Sequence, residues 1–136
     1  MASEFALSVV APDRSVVETT VSSAMLPGSE GYFGVLRGHL PLVAALRPGL
    51  VEYSDPNGQR HVVVIGGGFA EVQGDRVTIL ADSAELAKEI DLARAEKDLD
   101  EARRALRGES STMTSEEATL ELDRAIQRVR AARTVR

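Results

Sequence analysis

Asp91 and Arg94 stand three residues apart, and Arg124 and Arg128 stand four apart, in the last third of a 136-residue chain. At helical spacing the members of each pair share a face. Guanidinium groups fork onto phosphate oxygens, and a carboxylate accepts from an amino group or a ribose hydroxyl. These residues therefore offer recognition of a phosphorylated small molecule. Surface ion pairs and a helix cap at Asp91 are the simpler account on residue chemistry alone.

Other chemistry has little support in the sequence. His39 and His61 are the two histidines, and neither stands in a cluster with metal-ligand spacing. Both read as structural or surface residues. No cysteine is present, which excludes a disulfide framework, a thiolate zinc site and a cysteine nucleophile. No serine stands in a G-x-S-x-G context. Gly66-Gly67-Gly68 lacks the lysine and the following helix of a phosphate-binding loop, and reads as a bulge or tight connection. No catalytic residue and no metal site is expected. A net charge of −5 argues against nucleic acid as a partner. The N-terminal MASEFALSVVAPD has no basic stretch and carries Glu4, so no secretory signal is expected, and a cytoplasmic location is favoured.

The elements that must position Asp91 and the arginines divide at a seam, Ala81 to Ala95. All five prolines and ten of the eleven glycines lie at or before Gly74. Both residue types disfavour helix interiors. Before the seam, short apolar runs alternate with turns at Pro12-Asp13, Pro27 to Gly31, Arg37 to His39, Arg47 to Gly49, Asp55 to Gly58, Gly66 to Gly68 and Gly74-Asp75. Such spacing predicts about eight to ten short strands in a β-sandwich or small barrel. Parallel pairing is not expected, because no helical crossover fits between the runs.

After the seam the period changes to that of a helix. Asp82-x-x-Glu85 reads as a short helical start, and Asp91 as the next N-cap. Leu92, Ala95, Leu99, Ala102 and Leu106 form one stripe, ended by Gly108. A loop over Glu109 to Met113 leads to a capping box at Thr114 and Glu117. Ala118, Leu122, Ala125, Val129 and Ala132 form the second stripe, so an antiparallel two-helix hairpin is expected. Five of the ten stripe positions are alanine, which bury little area at about 25 cal/mol per Å². The hairpin is therefore expected to detach easily. Acids dominate its start and five arginines, Arg124 to Arg136, its end. That polarity suits the helix dipole, and also suits a basic arm meeting an acidic partner. The expected domains are a β-sandwich over 1–84 and a helical hairpin over 85–136.

The order and spacing of several motifs resemble one family. They are Leu26-Pro27-Gly28 with Gly31, Gly34-Val35-Leu36, Gly38-His39 and Pro41-Leu42, then Gly67-Gly68-Phe69-Ala70-Glu71-Val72, then Val77-Thr78-Ile79-Leu80-Ala81, with the helices following. The chain resembles the epsilon subunit of the bacterial and chloroplast F-type ATP synthase. That resemblance implies a ten-stranded β-sandwich followed by the hairpin. It implies a non-catalytic rotor subunit that binds the gamma subunit and sits on the c-ring, with Ser29 to His39 at the ring-facing end. The hairpin would be a two-state brake: folded, it permits ATP hydrolysis; extended along gamma, it reaches the acidic region of a beta subunit and blocks hydrolysis. Ile90-Asp91-Leu92-Ala93-Arg94-Ala95 matches the family's Ile/Leu-Asp-x-x-Arg-Ala motif for ATP at every specified position. Glu85, Arg124 and Arg128 stand where the family places supporting contacts. ATP would then be a regulatory ligand, with no cofactor required. The location implied is peripheral, on the cytoplasmic face of the cell membrane or the stromal face of a thylakoid. A free-standing ATP-sensing module and a small β-sandwich enzyme or ligand-binding domain are the other readings.

Overall fold

The computed structural model describes residues 3–109 and 112–135. Ser110 and Ser111 of the expected loop, and Arg136 of the arginine series, lie outside the described residues. Eight strands come first: β1 (Phe5–Ala11), β2 (Arg14–Val21), β3 (Ser23–Gly28), β4 (Gly31–Val35), β5 (Leu42–Ser54), β6 (Arg60–Gln73), β7 (Arg76–Ala81) and β8 (Ala84–Leu86). A 3-10 turn (Ala87–Glu89), α1 (Leu92–Leu106) and α2 (Ser115–Thr134) follow. The strands hydrogen-bond in the order β2-β1-β7-β6-β5-β3-β4, with β8 added along β6.

The strand count is eight among the described residues rather than ten. The expected breaks at Arg47-Pro48-Gly49 and Gly66-Gly67-Gly68 are corners inside β5 and β6, which pair with each other from Leu42↔Val72 to Ser54↔Arg60. The inward residues change parity across both corners. Leu46 gives way to Val51 and Tyr53 on β5, and Val63 and Ile65 give way to Ala70 and Val72 on β6. Successive strand residues point to opposite faces. A parity change therefore means that each strand turns from one layer of the sandwich into the other. Gly68 makes its corner possible. Its φ is +141°, and a Cβ there would collide with the Leu80 carbonyl oxygen of β7.

Two further expectations are corrected. One pair, β1 with β7, is parallel, in the register Leu7↔Val77 and Val9↔Ile79. No helical crossover is needed, because the whole sandwich forms the connection between them. Asp82-x-x-Glu85 does not start a helix. Residues 84–86 pair with Val63, Val64 and Ile65 of β6, so the sheet claims them first.

The inner core is aliphatic, with Leu7, Val9, Val21, Leu26, Val51, Val63 and Ile79 among its fully enclosed residues. A second cluster lies on the outer face of β5 and β6, where Leu50, Val62 and Val64 meet Ile90, Ala95, Val129, Ala131 and Ala132. This part of the sheet is thus buried on both faces. α2 rests on β5, β6 and the 3-10 turn, while α1 packs chiefly on α2. Ion pairs join Asp98 to Arg128 and Glu96 to Arg133, stepping in opposite senses along the two helices.

Local chemistry sets the ends. Asp91 Oδ1 accepts from the Arg94 backbone N–H at 3.2 Å, capping α1. Gly108, at φ +75°, ends it. Thr114 Oγ1 accepts from the Glu117 backbone N–H at 3.1 Å, capping α2. In the β5–β6 hairpin, Asp55 Oδ1 accepts from the backbone of Asn57 at 2.8 Å and Gln59 at 3.0 Å. Its Oδ2 lies 3.0 Å from His61 Nε2.

Gly68→Ala should destabilise the sandwich by more than about 2 kcal/mol, read as a shift in urea midpoint. Gly74→Ala, where an added Cβ meets nothing within 4 Å, should stay within about 0.5 kcal/mol. Asp55 makes a separate prediction. The hydrogen bond from His61 lowers its pKa, and its two backbone hydrogen bonds act the same way. Its stabilising effect is present above the unfolded value of about 3.9 and is lost as pH falls through the lower folded value. In an NMR titration the Asn57 and Gln59 amide shifts should therefore move together, with a midpoint below about 3.9.

Candidate functional site

Arg128 is the hub of the region that the sequence singles out. It projects from α2 toward β8, where Glu85 receives it as a two-pronged fork: Nε to Oε2 at 2.9 Å and Nη2 to Oε1 at 3.1 Å. Its third nitrogen, Nη1, reaches Asp98 Oδ2 of α1 at 3.4 Å. One side chain thus ties the second helix both to the sheet and to the first helix. The Arg128 side chain is only 23% exposed, and Glu85 holds its pKa above the ordinary value against the cost of burial. The fork fits the planar guanidinium, and a lysine would not reproduce it.

Asp98 carries the connection onward. Its Oδ1 accepts from Arg94 Nε at 3.3 Å, so one carboxylate spans two arginines from two helices. The result is a continuous chain, Glu85–Arg128–Asp98–Arg94. It runs from the sheet to the first turn of α1. Sequence reasoning did not single out Asp98. The available signal was its position four residues after Arg94, on the same helical face.

The other expected residues divide by role. Arg124 is exposed and pairs with Glu121 at 3.0 Å. With Glu85 and Arg128 it lines a cleft of about 620 Å³ between α2 and the strands, walled by Pro48, Val64 and Ser83. A cleft of that volume lies within the range of small-molecule sites. Asp91, Arg94 and Asp98 are not in its lining; Asp98 joins Arg94 to Arg128, which is part of it. The Asp91 carboxylate is engaged as the helix cap. Ile90 and Ala95 bury their side chains, at 1% and 0% exposure, in the cluster beneath the helices. Their contribution is to fix the position of the first turn of α1.

Elsewhere the histidines do other work. His39 Nδ1 lies 2.7 Å from the Leu40 carbonyl, and His61 stacks on Tyr53 with ring centroids 5.0 Å apart. Among the described residues no group of three or more His, Cys, Asp or Glu side chains converges as a metal site would, and no helix is long and apolar enough to cross a membrane. The sandwich surface does carry exposed apolar groups. Phe69 of β6 stands opposite Leu80 of β7, each 58% exposed, with Val43 nearby on β5 at 70%. Leu36 and Leu40, at 64% and 79%, stand out from the connection between β4 and β5. Groups of this kind mark contact surfaces.

Known proteins share this arrangement. Residues 4–87 match the family described as ATP synthase, Delta/Epsilon chain, beta-sandwich domain, and residues 88–133 match its long alpha-helix domain. An ATP synthase epsilon chain of Nitratidesulfovibrio vulgaris is 42% identical over 124 residues, covering 91% of this chain and 92% of the relative. A chloroplastic epsilon chain of Porphyra purpurea is 40% identical over 126 residues, covering 93% of each. A chain in the cryo-EM structure of the Euglena gracilis mitochondrial ATP synthase, containing OSCP, F1 and the c-ring, superposes with a TM-score of 0.80 at 28% identity. That superposition covers 93% of this chain and 80% of the other. A sandwich whose outer face is covered by two helices, matched in sequence across both parts, leaves one conclusion: this chain belongs to the ATP synthase delta/epsilon chain family, as an F-type epsilon subunit of the central stalk and not an enzyme in its own right.

Proposed function

We propose that this subunit couples c-ring rotation to the catalytic head and acts as a brake on ATP hydrolysis through its helical hairpin. The Arg128 fork on Glu85 carries this reading, because it joins α2 to the sheet through a single partly exposed pair that water or an anion can reach. The expected division between 84 and 85 cuts through β8, so in this reading the rotor module runs through β8, which carries Glu85, and α1 and α2 form the brake.

In the docked state the hairpin permits hydrolysis. Released, α1 and α2 extend along gamma, and the arginines of α2 meet the acidic region of a beta subunit. The exposed Val43, Phe69 and Leu80 face receives gamma. Ser29 to His39, with the exposed Leu36, would form the ring-facing end. The subunit is peripheral to the membrane, held there by the complex, on the cytoplasmic face of a cell membrane or the stromal face of a thylakoid.

ATP is the regulatory ligand of the docked state, with no cofactor required. Its phosphates fall to Arg94, Arg124 and Arg128, with Glu85 and Asp91 as acceptors and Ile90 and Ala95 fixing the turn. A ligand that binds only the docked form stabilises it by RT ln(1 + [L]/Kd), about 2.7 kcal/mol at a hundredfold excess over Kd. That is enough to decide the state of a hairpin held by a small seam.

Three outcomes test these assignments. Arg94→Ala should abolish ATP binding in calorimetry while the sandwich keeps its melting transition; unchanged affinity removes Arg94 from the site. Arg128→Ala should speed proteolysis within α1 by about tenfold, since a charge-assisted bond is lost, and leave the strands resistant. Phe69→Glu should prevent co-purification with gamma without changing the hairpin. Retained gamma binding would put that interface elsewhere.

A further inference from the structure

We propose that Asp98 is a built-in counter-ion that fills the phosphate position of the hairpin site when no ligand is there, and so sets the site's affinity. The proposal rests on the nucleotide reading above. Asp98 presents one oxygen to each of two guanidinium groups on separate helices, Arg94 at 3.3 Å and Arg128 at 3.4 Å. A bridging phosphate would use the same two cations in the same way.

The distances decide which carboxylate yields. Glu85 holds Arg128 at 2.9 and 3.1 Å, whereas both bonds of Asp98 are longer. Charge-assisted hydrogen bonds of full strength are about 2.7–2.9 Å. Asp98 is therefore the looser partner. Its side chain is 34% exposed and that of Glu85 37%, so either could turn into water without leaving a charge buried, and bond length is what separates them. Charge points the same way. Arg94, Arg128, Asp98 and Glu85 sum to zero, and the displacement of Asp98 leaves one net positive charge facing the incoming phosphate. The clasp to β8 survives the exchange because it belongs to Glu85.

Asp98→Asn keeps the shape and removes the charge. Calorimetric titration of the full chain with ATP should show Kd about tenfold lower in this variant than in the native chain, the scale of one released charge-assisted bond. Asp98→Glu, which keeps the charge, should bind ATP as the native chain does. A structural role alone predicts the opposite of the first result, because a loosened hairpin weakens binding. An unchanged or higher Kd for Asp98→Asn, with the native chain binding, overturns the role of Asp98 and leaves the nucleotide site standing. No binding by either chain overturns the site itself, and the counter-ion with it.

Discussion

The docked state depends on how little holds it. Beneath the helices lies a patch of three strand residues, Leu50, Val62 and Val64, met by Ile90, Val129 and four alanines. Alanine adds almost no buried area, so this seam contributes far less than the leucine- and valine-filled core inside the sandwich. Onto this weak seam the chain sets one well-formed polar clasp, Arg128 on Glu85. Partly exposed ion pairs contribute about 1 kcal/mol, and a two-pronged fork somewhat more. A contribution of that size matters only where the apolar term is small, as it is here.

The same balance links structure to regulation. A brake must be able to leave the sheet without unfolding the rotor module. β5 and β6 belong to both faces, because Val51 and Val63 point into the sandwich while Leu50, Val62 and Val64 point to the hairpin. Undocking would expose only the second set. α1 adds little of its own to the sheet, since it packs chiefly on α2. In the proposed brake, release of α2 would be the controlling step, and Arg128 sits on that helix facing the sheet. On the proposed function, an anion that competes for Arg94 and Arg128 would act on the same equilibrium.

Much of this was legible in the chain, though unevenly. Both caps, the stop at Gly108 and most of the two alanine-rich stripes depend on local chemistry and form where that chemistry predicts; Leu106, the last member of the first stripe, is 40% exposed instead. The strand count was harder. Proline and glycine signal a change of direction, yet Pro48 and the three glycines at 66–68 bend continuous strands instead of ending them. The unbroken run Val62-Val63-Val64-Ile65 carried the missing clue, since a strand without alternation is covered on both sides. Asp82 and Glu85 had the pattern of a helix start, but pairing with β6 outweighed it. At the site, residue types named Arg94 and Arg128 and the resemblance added Glu85, while their linkage through Asp98 required three elements to be brought together. That is tertiary information, which no local pattern holds.

Native-state hydrogen exchange of the isolated chain, without nucleotide, tests the detachable hairpin most directly. The account predicts that the amides of α1 and α2 exchange together through an opening several kcal/mol below global unfolding, while those of β5 and β6 exchange only with the whole sandwich. Equal protection of helix and strand amides would contradict it, since the hairpin would then be part of the same cooperative unit as the sandwich.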